Sequence, residues 1–295
     1  MSVMANILTG IAEQGLIYGV LVLGVYISYK ILNFPDLSVD GTFSLGGAIT
    51  AVLITAGVNP WICLLISFGG GLLCGFLVGL MNVKLKISEI VCGIIMMTGL
   101  YSVNLRIAGS SLAPIINRET IFNGRLYGFI SNISSYGILI IAFILTLGAK
   151  LLLDLYLKTK SGMLLKASGS NRHLTESLGQ NPDFYKIIGL SLANGLTAFS
   201  GSILCQQQKY FEINMGTGMM VMALASVIIG STVFKKISFM EITTKVIIGS
   251  VIYKGCVSLA LNLGFSPNDL KLIMAVIFLL VLAFNNFGRV KNADT

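Results

Sequence analysis

Along most of this chain, uncharged apolar runs close to 20 residues long follow one another with only short polar breaks. A run of that length is what an α-helix needs to cross the roughly 30 Å hydrocarbon layer of a bilayer at about 1.5 Å per residue. Inside that layer the backbone N–H and C=O groups find no water, so only structures that satisfy them internally persist. The candidate spans are Gln14 to Tyr29, extending to about Asn33, then Thr42 to Trp61, Ile62 to Met81, Ile87 to Leu105 and Ile133 to Ala149. They continue with Ile187 to Gln208, Ile213 to Phe234, Val246 to Leu263 and Leu272 to Gly288. The second, rich in Gly and Thr, reads as a broken or shallow span. The expected fold is all-α, a polytopic transmembrane bundle of about nine spans within a range of eight to ten, forming one transmembrane domain over residues 1–295.

Composition agrees. Hydrophobic residues make up 55% of the chain and charged residues 11%, against about 25% charged in soluble domains. The net charge of +8 is scattered through short loops rather than gathered on one face, which excludes a nucleic-acid footprint and fits the positive-inside bias of membrane proteins. The segment from Asp154 to Lys186 carries Lys158, Lys160, Lys166, Arg172 and Lys186 and is the strongest cytoplasmic candidate. Alternation then places Lys84, Lys86, Lys235, Lys236, Lys245, Arg289 and Lys291 on the same side, with Arg106, Arg118, Arg125, Lys209 and Lys271 opposite. The N-terminus is expected outside and the C-terminus in the cytoplasm. No basic region precedes the first apolar run, so it reads as a mature helix rather than a cleaved signal.

The parts of an enzyme are missing. There is no HExxH, no Ser/His pairing and no phosphate-binding glycine loop with its lysine, so no catalytic residue is expected. Five dispersed cysteines and the single His173 build no metal site, and no cofactor is expected on this chain. What remains is polar chemistry inside apolar runs, which is costly there and marks pathways or interhelical bonds. Lys254 lies well inside its span, and structural pairing competes with function for it. Glu89 suits a helix N-terminus. Asp36 and Asp40 flank Ser38 in a segment that Pro35 interrupts, and Ser38 and Asp40 are expected to cap the following helix. Asn194 is accounted for by helix packing, whereas Gln206, Gln207 and Gln208 in a row are harder to dismiss. Candidate pathway-lining residues are therefore Asp36, Ser38, Asp40, Asn194, Gln206, Gln207 and Lys254. Gly71, Gly75 and Gly79 form a smooth stripe for helix packing. The polar loop from Gly109 to Asn132 is expected to be the largest external element.

Between two spans, residues 154–186 form a cytoplasmic segment. Asn171 is placed to cap a short helix from about Arg172 to Leu178, with Gly179 ending it and Pro182 starting the next. A short helix held across the membrane face makes a peg on which a soluble partner can push. Three stretches carry a resemblance: Asn33 to Ala48; Ala167 to Lys186 with Gly169, Asn171, Leu178 and Gly179; and Gly189 to Gly230 with Leu192-Ala-Asn-Gly195 and Ala198-Phe-Ser-Gly201. Through them nearly the whole chain resembles the permease subunits of bacterial ABC importers, in the branched-chain amino acid and ribose branch, with an amino-acid-type subgroup linked to aromatic amino acids as its match. The resemblance implies a multi-pass protein of the bacterial cytoplasmic membrane. It implies two permease copies, an ATP-binding cassette subunit holding ATP and Mg, an extracytoplasmic substrate-binding protein and surrounding membrane lipid. The coupling residues it points to are Asn171, Arg172, Leu174, Glu176, Leu178 and Gly179. An ion-gradient-coupled secondary transporter is the alternative, and it needs a charged midplane site for which Lys254 is the main candidate.

Overall fold

The computed structural model describes residues 3–124, 127, 136–235, 237, 239–264 and 269–290. Arg125, Lys236 and Lys291, the loop residues 128–132 and the start of the fifth candidate span lie outside the described residues. The chain is a helical bundle. Helix α1 (Val3–Val25) runs on through a π-turn (Tyr26–Ile31), followed by α2 (Ser38–Thr55), α3 (Pro60–Lys84) and α4 (Glu89–Ala108). Next come α5 (Gly137–Lys158), α6 (Lys160–Ser170), α7 (Arg172–Ser177) and α8 (Pro182–Gln208). After a 3-10 turn (Ile213–Gly216), α9 (Met219–Val233), α10 (Ile242–Asn262) and α11 (Leu270–Val290) complete the chain. A two-stranded antiparallel ribbon pairs β1 (Leu112–Pro114) with β2 (Tyr210–Glu212). Among the described residues, eight helical stretches are long and apolar enough to cross a membrane, and α11 carries a shorter apolar stretch, Leu272–Ala283.

The second candidate span needs correction. Thr42 to Trp61 is not one helix. The chain turns at Gly57, whose φ of 84° favours glycine, and Asn59 then caps α3 by accepting from Trp61 N, with Pro60 in the first helical position. Nor is α2 broken: it is continuous and starts four residues earlier, at Ser38. Residues 154–186 also hold one more helix than expected. Thr159 accepts from Gly162 N and starts α6 immediately after α5 ends.

Small residues set the spacing of the bundle. The stripe on α3 faces α8: a Cβ at Gly71 would strike Asn194 O, one at Gly75 would strike Leu190 O, and one at Gly79 would stand 3.0 Å from Ile187 Cα. Where lipid replaces water, such close backbone approach and interhelical hydrogen bonds replace the hydrophobic drive between helices. Thr50 of α2 supplies one such bond, 3.0 Å to Ser67 of α3, and another to Ser202 of α8. Helices α2, α3 and α8 are thereby held as one unit around buried hydroxyls.

Gly75→Val is therefore expected to cost at least ~1–3 kcal/mol, because its side chain meets backbone rather than a movable side chain. Gly99→Ala, which meets nothing within 4 Å, is expected to be silent. Monodisperse yield and thermal unfolding of the detergent-solubilised protein measure both.

Candidate translocation site

The link between α1 and α2 does not cross the end of the bundle as a plain turn. It folds inward. Phe34 N donates to Ser28 O at 2.8 Å, Pro35 blocks any continued helix, and Asp36 is left fully buried. Its carboxylate takes donors from three groups: Ser38 N at 2.9 Å, the Ser38 hydroxyl, and Asn194 Nδ2 at 2.7 Å. Asn194 lies near the middle of α8, about 18 Å along the helix from Pro182 and about 21 Å from Gln208. The link thus carries a carboxylate deep into the bundle, and α2 begins there. The capping expectation changes accordingly. Asp36, not Ser38 or Asp40, accepts the first free N–H of α2, since it stands two residues ahead of Ser38 N in the geometry such a cap requires.

Asp40 instead serves a different helix. From the first turn of α2 its Oδ2 accepts from Gly218 N and its Oδ1 from Met220 N, each at 2.8 Å. It is the cap of α9 supplied across the bundle. Ser44, one turn on, accepts from Gly216 N at 3.1 Å and donates to Ile213 O at 3.1 Å. Gly216 is obligatory here, because a Cβ would collide with Asp40 O, and Gly218 sits at φ 84°. After β2 the chain therefore re-enters the bundle along α2, and α9 starts in its interior. Two helix N-termini, those of α2 and α9, meet there, each closed by an aspartate. Paired helix ends of this kind are how transporters expose backbone and charge to a solute.

Beside them lies a cavity of about 410 Å³, walled by Asp40, Gly41, Ser44, Thr98, Tyr101, Asn104, Asn214 and Thr217 together with Met97 and Ile213. Asp40 is the one candidate pathway residue that lines it. Asp36, Ser38 and Asn194 are buried and bonded to one another behind it. Gln206 is also buried, accepting from Ile121 N at 3.0 Å and donating to Pro60 O at 3.2 Å, so it ties the 120s loop to α3. Gln207 Oε1 is buried without a partner among the described residues. Lys254 holds its ammonium 4.0 Å over the Tyr18 ring and 3.4 Å from Gln14 Oε1, between α1 and α10. Glu89 pairs with Lys186 at 2.9 Å, joining the starts of α4 and α8. Sequence reasoning missed Tyr101, Asn104, Asn214 and Thr217. Asn104 sits at helical spacing inside an apolar run, a signal comparable to that of Asn194.

At the end of the bundle carrying residues 159–181, the peg has the expected form. Asn171 Oδ1 accepts from Leu174 N, Arg172 pairs with Glu176 at 3.0 Å and with Asp183 at 3.1 Å, and Gly179 closes the turn at φ 71°. Glu176 and then Asp183 hold the Arg172 pKa above its ordinary value. Thr175 faces inward, whereas Leu174 and Leu178 are 50% and 59% exposed. The peg is not isolated. Asn33 Nδ2 donates to Gly169 O at 3.1 Å, and α6 approaches Ile31 O so closely that only glycine fits at 169. A few residues thus connect the peg to Asp36. Nearby, Lys150 and Lys158 reach Glu241 at 3.3 and 3.2 Å, clamping α5 to the start of α10. Coupling to the neighbouring Asp154 carboxyl, with the hydrogen bonds from Lys158 and Lys150, holds the Glu241 carboxyl well below the usual carboxylate range.

Residues 7–283 match the model of the family described as branched-chain amino acid transport system, permease component. The chain is 42% identical over 278 residues to the tyrosine transport system permease protein of Clostridioides difficile, covering 94% of this chain and 91% of the relative. It is 27% identical over 254 residues to the ribose import permease protein of Escherichia coli, covering 85% and 77%. Among solved structures, PsaBC from Streptococcus pneumoniae in complex with Fab superimposes with a TM-score of 0.53 at 13% identity, over 92% of this chain and 89% of that one, a likeness of fold.

Asp40→Ala strips both acceptors from the α9 terminus at Gly218 and Met220. A loss of ~1–3 kcal/mol is expected, with a lower thermal midpoint in detergent, while Asp40→Asn recovers part of it through its remaining carbonyl oxygen.

Proposed function

The chain belongs to the family of branched-chain amino acid transport system permease components, and from that premise we propose that it forms the pathway of an ATP-driven importer for an amino acid. Tyrosine, the solute in the name of the 42% identical relative, is the first to try. The observation that carries the reading is the open-sided cavity beside Asp40, linked to an exposed peg through the Asn33–Gly169 contact. ATP and Mg are held by a separate ATP-binding cassette subunit, into which Leu174 and Leu178 insert. An extracytoplasmic binding protein delivers the solute, and two copies of this chain enclose the pathway, with N-termini outside and C-termini inside a bacterial cell membrane. Closure of the ATPase pair pushes the peg, and the link and α2 follow as a rigid body, the usual physics of alternating access. A gradient-coupled carrier has less to stand on. Lys254, on which it rested, faces an amide and an aromatic ring rather than an acid.

Reconstitution with a candidate ATP-binding cassette subunit and binding protein that co-purify with the chain tests the reading. ATP-dependent accumulation of labelled tyrosine or another amino acid in proteoliposomes is expected. Accumulation driven by a proton or sodium gradient without ATP contradicts it. Gly179→Val forces a β-branched residue into positive φ and misplaces Leu178. It is expected to lower ATPase co-purification and uptake at least about tenfold while the permease still folds.

A further inference from the structure

The cavity beside Asp40 has an unbalanced hydrogen-bonding wall. Asn104 is 1% exposed, and its Nδ2 donates to Gly41 O at 3.0 Å. That bond fixes the amide orientation, because a carbonyl oxygen accepts only from the amide nitrogen. Asn104 Oδ1 is then the opposite atom, and it is buried with no partner among the described residues. An unpaired buried acceptor costs about 1–3 kcal/mol, so its presence in a pathway protein points to a partner that comes and goes. One turn of α2 supplies both Gly41, which orients Asn104, and Asp40, whose carboxylate lines the same cavity while it caps α9. Among the described residues, no lysine, arginine or histidine lines the cavity. Asp40 is therefore the one charged group on a largely apolar wall, with Tyr101 and Met97 to flank an apolar body.

We propose that this cavity is a transit site for the ammonium group of the solute, shared between Asp40 and the unpaired Asn104 Oδ1. The site rests on the import reading above but refines it, naming the chemical handle the permease itself reads: a primary ammonium, with the carboxylate of an amino acid directed away from Asp40. Because Asp40 also caps α9, a solute ammonium competes with the Gly218 and Met220 amides for the same oxygens. Occupancy thereby loosens the N-terminus of α9 and links the solute to helix movement.

The test is equilibrium binding to the full chain in nanodiscs, without the binding protein, using labelled tyrosine with tyramine and 3-(4-hydroxyphenyl)propionate as competitors. Tyramine keeps the ammonium and lacks the carboxylate, and the propionate does the reverse. Competition by tyramine but not by the propionate is expected. Asn104→Leu is expected to weaken tyrosine and tyramine alike by about tenfold or more, the loss of one charge-assisted bond. Asn104→Asp, which keeps an acceptor and adds charge, is expected to retain or tighten tyramine and guards against a folding defect being read as a lost site. Equal competition by the propionate, an absence of tyrosine binding, or unchanged affinity in Asn104→Leu overturns the site. ATP-driven uptake in parallel proteoliposomes separates the two readings: uptake that persists without this binding pattern removes the ammonium site and leaves the importer standing.

Discussion

A buried carboxylate that pairs with no cation among the described residues organises this bundle. Charge in the interior is tolerated only when hydrogen bonds replace the lost water, and Asp36 collects its donors from Ser38 and Asn194. Those bonds draw the α1–α2 link inward, set where α2 begins, and pin the link to the middle of α8. Without them, Pro35 would leave an unsatisfied turn among apolar helices, and α2 would have no fixed depth. The depth of α2 then decides the rest: Asp40 and Ser44, at consecutive turns of one face, catch the returning chain and start α9 inside the bundle.

The same link gives the molecule a mechanical axis. At one end Asn33 holds Gly169 of α6, next to the exposed leucines of α7. At the other it runs into α2, whose first turn lines the polar cavity. Helix α2 is fastened to α3 and α8 by glycine contacts and buried hydroxyls, so it resists bending and transmits displacement as a body. Helix α4 contributes Thr98, Tyr101 and Asn104 to the cavity and is packed on α2 as closely: a Cβ at Gly41 would stand 3.0 Å from Leu100 Cβ, and Asn104 bonds Gly41 O.

Much of this was legible in the residues, and the part that was not has a physical cause. Long uncharged runs specify helices, and Asn171, Gly179 and Pro182 specify the peg because their roles are local: a cap, a positive φ and a first helical turn. The stripe of Gly71, Gly75 and Gly79 is local too, although its partner α8 was not readable. The roles of the acids were not local. Asp40 stands in a good position to cap its own helix, yet its oxygens serve amides 178 and 180 residues away. Gln206 looked like pathway chemistry and is an anchor for Ile121 N. Asn104 was passed over because an isolated amide in an apolar run has no meaning until the cavity beside it is seen. The boundary between the second and third spans was missed for a different reason: the run is apolar on both sides of Asn59-Pro60, and hydropathy does not register a two-residue stop signal.

The most direct measurement of the central claim is a double-mutant cycle on Asp36 and Asn194, read by thermal or denaturant unfolding of the detergent-solubilised protein. Asp36→Ala, Asn194→Ala and the double variant are compared with the unchanged chain. If the carboxylate pins the link to α8, the two losses overlap and the coupling is about 1–3 kcal/mol. Strictly additive losses would mean that Asp36 and Asn194 do not hold one another, and the inward-folded link could not join the peg to the cavity as described.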